Sequence, residues 1–199
     1  MKRLLLTTIL IILVSSLYYI YNSNIEKNQF VNKIKELRIE RENYMYKSKS
    51  SPLYNKNYKL SYFPPNIDFK VLAKIKELQK FDTVKLLTST GKSQKFLKFA
   101  NLEFKLKRKI YKIPVYKYLN KENKNEIFLC FIDETNGVST YDGGRYIDIS
   151  FKNAKRIEID FNKAYNPYCV YDSKFSCPIP TKENFIDTEI IAGEKIYLN

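Results

Sequence analysis

Eighteen consecutive residues without a charge, Leu4 to Tyr21, constrain this chain before anything else does. At about 1.5 Å per residue a helix over them reaches ~27 Å, close to the ~30 Å hydrocarbon core of a bilayer. Only Thr7, Thr8, Ser15 and Ser16 interrupt the apolar character. Lys2 and Arg3 precede the run and Tyr18, Tyr19 and Tyr21 gather at its far end. Cations favour the cytoplasmic side and amphipathic rings the membrane interface. The expectation is a single-pass anchor within residues 1–23, meeting the membrane through residues 4–21, with the N-terminus cytoplasmic and the rest outside. The alternative is a cleaved signal peptide, since Leu4 to Val14 has the length of an h-region and Val14 and Ser16 make a poor small-residue site. Leu17 to Ile20 prolong the run past that site, which favours the anchor. Cleavage would leave a secreted or periplasmic domain, so both readings export it. No Cys lies near the segment, which excludes lipoprotein processing.

Between Asn24 and Lys47 the residues Phe30, Val31, Ile34, Leu37, Tyr44 and Met45 recur three or four apart among charged residues, predicting an amphipathic helix or stalk over 24–50. Ser50, Ser51 and Pro52 end it. The remainder, 51–199, reads as one β domain. Phe69, Val71, Ala73 and Ile75 alternate with polar or outward residues; Val84–Thr88, Phe96–Phe99, Leu102–Leu106 and Ile110–Leu119 follow, with Gly91 and Asn101 at expected turns. Ile127 to Ile132 is apolar throughout, as in a strand buried on both faces, and makes Cys130 a core residue. Strands do not alternate with long helices, so the expected class is mainly β, an antiparallel barrel or sandwich preceded by a transmembrane helix and an amphipathic helix.

Formal charge is +14, but it is unevenly placed: 27 basic and 10 acidic residues precede Asp133, against 8 basic and 11 acidic from there on. The excess belongs to the membrane-proximal half, on solvated faces or near anionic lipid, and nucleic acid is disfavoured as a partner. Histidine is absent, which removes Ser/His/Asp and Cys/His catalysis and every His-based metal site.

The informative stretch begins at two turn signals, Thr135-Asn136-Gly137 and Asp142-Gly143-Gly144. Arg145–Phe151 and Arg156–Asn162 then alternate as two strands. If they pair as a hairpin, apolar matching sets Ile149 opposite Ile159 and brings Asp148 opposite Asp160. Two facing carboxylates repel unless a cation, a shared proton or an arginine intervenes, which marks a candidate site; neutralisation by Arg145 or a lysine is the plainer alternative. The following loop holds Asn162, Tyr165, Asn166, Cys169, Cys177 and Glu183. In an exported protein Cys169 and Cys177 first suggest a disulfide closing a short ring. A reactive cysteine lacks a visible base here, and two Cys are a weak metal signal.

The region from Phe131 to Lys195 resembles the bacterial family known as domain of unknown function 1684. The motifs that carry the resemblance are Thr135-Asn136-Gly137, Thr140-Tyr141-Asp142-Gly143-Gly144-Arg145-Tyr146-Ile147-Asp148, Asp160-Phe161-Asn162, Ala164-Tyr165-Asn166-Pro167, Cys169, Ser176-Cys177-Pro178, Glu183-Asn184 and Ala192-Gly193-Glu194-Lys195. Ser51-Pro52-Leu53 and Tyr62-Phe63 extend it towards the N-terminus. Asp142 stands where the family usually has Gly. The resemblance implies a group and supplies no activity.

Three functions fit these residues. The first is a binding module whose patch of Arg145, Asp148, Asp160, Asn162, Tyr165, Asn166 and Glu183 receives a small polar ligand or cation. The second is a hydrolase in which Asp148 and Asp160 share acid and base roles or hold a divalent metal, with Glu183 assisting. The third is a structural, envelope-facing domain.

Overall fold

The computed structural model describes residues 2–56, 58–119, 125–152 and 154–196. No Gly or Pro occurs before Pro52, and the anchor and amphipathic segments accordingly form one unbroken helix, α1 (Lys2–Lys47). The separate amphipathic helix expected over 24–50 is therefore corrected: it is the second half of α1. At its end the Ser51 hydroxyl donates to the Met45 carbonyl at 2.6 Å and accepts the Leu53 amide, satisfying groups the last turn leaves open. The first half of α1 packs on nothing, and Leu5 to Tyr21 present their apolar side chains outward. Among the described residues this is the one helix long and apolar enough to cross a membrane. The second half buries Phe30, Ile34 four residues on, and Met45 about three turns further, against the β domain.

Seven strands follow: β1 (Lys70–Leu87), β2 (Ser93–Leu106), β3 (Lys109–Tyr118), β4 (Glu126–Asp133), β5 (Arg145–Ser150), β6 (Arg156–Asp160) and β7 (Phe185–Ile186). Their order is β5-β4-β3-β2-β1-β6, antiparallel throughout, with short β7 parallel to the end of β4. The result is a nearly closed barrel, the first of the two expected architectures. Val84–Thr88 is the far end of β1, whose ladder with β2 is interrupted by an irregularity between Glu77 and Asp82. Asn101 is not at a turn: it lies within β2, opposite Lys76 and Pro114, and its neighbours carry the pairing straight through. Gly91, at φ +76°, does make the β1–β2 turn.

Alternation sends the two faces of β4 into different cores. Ile127, Leu129 and Phe131 enter the barrel interior with Phe99, Leu102, Ile147 and Ile159. Phe128 and Cys130 join Phe96, Tyr116, Tyr146 and Cys177 on the outer face. Full burial of side chains such as these contributes about 1.5–3 kcal/mol each, so a strand apolar on both faces is what this position requires.

The hairpin expected between Arg145–Phe151 and Arg156–Asn162 does not form. β5 pairs β4, with Asp148 opposite Phe128, and β6 pairs β1, with Asp160 opposite Lys70. The hydrophobic alternation is satisfied equally well this way, because it fixes which face a residue occupies and not which strand lies beside it. β5 and β6 therefore end the strand order on either side of an unpaired seam.

Candidate functional site

Several of the motif residues hold the fold together. Arg145 is fully buried; its guanidinium pairs with Asp133 at 2.8 Å and donates to the carbonyls of Ile190 at 2.9 Å and Ala192 at 2.5 Å. Asp133 also accepts the Thr135 amide and hydroxyl and the Ile190 amide, so the 135–137 turn and the C-terminal segment meet on one carboxylate. Asp160 caps the short 3-10 turn Phe161–Lys163, accepting from Asn162 N and Nδ2 at 3.0 and 2.8 Å. Asn162 in turn exchanges hydrogen bonds with the backbone of Asn66, both at 2.8 Å. Glu183 is exposed and paired with Lys98 at 2.6 Å. Gly193, at φ +79°, passes so close to the Phe161 and Ala164 carbonyls that a Cβ would lie 2.7 Å from each. Asp142 sits outside the positive-φ region, which among described non-glycine residues holds only Asn55 and Lys107.

The remaining motif residues face a cavity of about 570 Å³ on the outer side of the sheet, within the usual size of small-molecule sites. Asp148 of β5 and Tyr165 line it together, and the Tyr165 hydroxyl donates to Asp148 Oδ2 at 2.5 Å. Tyr118 and Tyr146 come from β3 and β5, Tyr168 and Phe175 from the loop after Tyr165, and Arg41 and Tyr44 from α1. A neighbouring hollow of about 690 Å³ shares Gln94, Tyr118, Asp148, Tyr165 and Tyr168. Burial pushes the Tyr165 phenol well above its ordinary value and Asp148 adds to the effect. Burial likewise raises Tyr118, Tyr146 and Tyr168. These rings are thus neutral hydrogen-bond donors at physiological pH.

Arg41 lies over the Tyr165 ring, 4.5 Å from its centroid, and its Nη2 is 3.2 Å from Glu194 Oε2. Glu194, fully buried, also accepts from Asn166 N at 3.2 Å and Nδ2 at 3.3 Å. Asn166 therefore stands behind the cavity wall and not in it. Arg41 is paired with Glu194, and Asp148 is the acidic side chain among those lining the cavity.

Of the seven residues expected to form a ligand patch, Asp148 and Tyr165 are brought together at the cavity; Arg145, Asp160 and Asn162 brace the fold, Asn166 supports the wall and Glu183 is on the surface. Asp148 and Asp160 both border the seam between β5 and β6, but they are not cross-strand partners, which removes the geometric basis for a shared acid–base or metal-holding role. No group of three or more His, Cys, Asp or Glu suited to a metal converges among the described residues. Arg41, Gln94, Tyr118, Tyr146, Tyr168 and Phe175 were not foreseen. The signal available for them was the count of 17 tyrosines, far more than a core of this size needs.

The class defined by this geometry is a small β-barrel domain with an aromatic cavity on its outer face and a long apolar helix at its N-terminus. The model of the family described as protein of unknown function (DUF1684) matches residues 56–195, and the chain belongs to that family. It is also similar to the solution NMR structure of an uncharacterised protein from gene locus rrnAC0354 of Haloarcula marismortui, at 29% identity and a TM-score of 0.68, over 85% of this chain and 96% of that one. No curated protein matches the chain.

Proposed function

We propose that this protein is a membrane-tethered, outward-facing binding module whose cavity takes a small polar ligand bearing a cationic group. The observation that carries this reading is the placement of Asp148 among neutral aromatic walls. A carboxylate that accepts from a phenol and shares its cavity with tyrosine rings favours an organic cation through charge and through ring faces. The outward-facing apolar side chains of Leu5–Tyr21 support the tether, and Lys2 and Arg3 support a cytoplasmic N-terminus.

Isothermal titration of the full chain in detergent micelles with ethanolamine, choline and, for comparison, glucose tests the ligand class. Saturable binding of the ammonium compounds is expected, weakened at least tenfold by Asp148→Asn, which is about 1.4 kcal/mol, and several-fold by Tyr165→Phe. Glucose binding in preference to the amines, or amine binding indifferent to Asp148→Asn, overturns the reading. Orientation has its own check: protease added to intact cells should remove the β domain and leave a membrane-held fragment, and full protection contradicts an outward-facing domain.

A further inference from the structure

Two motifs meet at a cleft that adjoins the aromatic cavity, with Cys177 and Pro178 lining both: the Tyr141-Asp142-Gly143 turn and the cysteines of the loop after Pro167. They line this cleft of about 290 Å³ together with Ser89 and Ile179. Gly143 allows this meeting, since a Cβ there would fall 2.5 Å from the edge of the Tyr141 ring. Across the cleft the Cys169 amide donates to Cys177 Sγ at 3.2 Å, and both thiols are free.

The loop bearing Cys177 is fixed without a covalent link. The Ser89 amide donates to the Cys177 carbonyl at 2.9 Å, the Cys177 amide to the Ser89 hydroxyl at 3.1 Å, and the Ile179 amide to the Leu87 carbonyl at 2.7 Å. Ser176 adds hydrogen bonds with Thr88 and Thr90 at 2.8 and 2.7 Å. A disulfide is therefore not needed to hold the ring in place, and the two free thiols lie within hydrogen-bonding reach of one another.

The two thiols differ in setting. Cys169 is half-buried, whereas Cys177 is buried. Hydrogen bonding from Cys177, with further help from the Ser89 and Tyr141 hydroxyls, draws the Cys169 thiol down to about 6. Cys177 is held well above its ordinary value by the same partner and by burial. Burial pushes Tyr141 up to about 12, so it keeps its proton to donate. Asp142 is the acidic side chain lining the cleft. An accessible thiolate beside a protonated, buried thiol is the division of labour that thiol–disulfide exchange requires.

We infer that Cys169 and Cys177 form a thiol–disulfide exchange pair, Cys169 attacking and Cys177 resolving, which acts on a small disulfide-bearing molecule admitted beside Tyr141. The Cys169 thiolate attacks one sulfur of the incoming disulfide RS–SR, forming the mixed disulfide Cys169–S–SR and expelling RS⁻. Cys177 gives its proton to that thiolate and attacks Cys169 Sγ, closing the Cys169–Cys177 bond. The second RS⁻ leaves and takes a proton from solvent. Two electrons pass from the protein to RS–SR, two RSH are formed, and the second of their protons replaces the one Cys169 had already lost to solvent.

The test uses the full-length protein, reduced, in detergent micelles, with oxidised glutathione as the probe and peptide mass mapping as the readout. Wild type should end with the Cys169–Cys177 disulfide, reopened by excess reduced glutathione. Cys177→Ala should stop at a glutathione adduct on Cys169, and Cys169→Ala should react at least tenfold more slowly at pH 7. In wild type, alkylation of Cys169 by iodoacetamide should rise with pH and be half-maximal near pH 6, because the thiolate fraction grows as pH passes its pKa. Cys130, whose thiol burial pushes up to about 12, serves as the silent internal control. Equal alkylation of Cys169 and Cys177, reaction at Cys177 first, or a disulfide that excess reduced glutathione cannot reopen overturns the proposal. The wild-type order of alkylation decides the matter even where a variant fails to fold.

Discussion

Arg145→Ala lowers the melting temperature of the protein by about 6–20 °C in a thermal melt followed by circular dichroism. The guanidinium is sealed from solvent together with Asp133, at 0% side-chain exposure for both. Removing it leaves the Asp133 carboxylate and the carbonyls of Ile190 and Ala192 buried without their donor. Breaking a buried pair from one side costs about 3–5 kcal/mol, and a chain of this length loses roughly 2–4 °C for each kcal/mol. Arg145→Lys is expected to recover little, because one ammonium cannot reach in the directions that the planar fork serves at once. A melt within 2–3 °C of wild type for Arg145→Ala would mean that the residue is not the brace described here.

Glu194→Ala is the second large effect, and it acts at the joint between α1 and the barrel. Glu194 links Arg41 of the helix to the Asn166 backbone and side chain. Its removal leaves Arg41 largely buried beside Tyr165 without a counter-charge, at a cost of about 3 kcal/mol, the lower end for a buried pair since the Arg41 side chain keeps 22% of its exposure. Helix docking and ligand affinity should fall together, read by proteolysis within 24–47 and by titration. The same residue gives stability a pH dependence. Burial raises the Glu194 carboxyl above its ordinary value, against the pull of Arg41. Between its ordinary and folded values the native state then binds more protons than the unfolded one, so stability falls as pH rises through that window. Glu194→Gln should flatten this slope in denaturant titrations at successive pH values; an unchanged slope assigns the dependence to another group.

What the sequence revealed, and what it hid, divides along one physical line. Alternation reports the face a residue occupies, so Phe69, Ala73, Ile147, Ile149, Ile157 and Ile159 could all be assigned to a core in advance. It carries no information on which strand lies alongside, and the expected Asp148–Asp160 pair was lost there. The two-sided burial of β4 was legible because its run is apolar at every position, and Cys130 was placed with it. Arg145 stood out as a charged residue in a motif, but only the fold brings Asp133 and the 190–194 segment around it. Arg41 and Glu194 are 153 residues apart, a separation no local pattern spans. The boundary expected between residues 23 and 24 follows the change from apolar to amphipathic spacing, yet neither Gly nor Pro occurs there, and α1 carries Asn22, Ser23 and Asn24 within it.

An unhinged α1 also works as a measuring rod. Twenty residues separate Tyr21, where the outward apolar side chains end, from Arg41 at the cavity wall. At about 1.5 Å each they span ~30 Å. With the apolar half in a bilayer, the cavity stands several Debye lengths from the headgroups, since that length is about 8 Å at physiological ionic strength. Anionic lipid in such a bilayer would attract the basic residues next to it, while its potential would have decayed at the height of Asp148. A preference of the cavity between charged and neutral molecules would thus be set by its own side chains, and should survive a change in the lipid composition of vesicles that carry the protein.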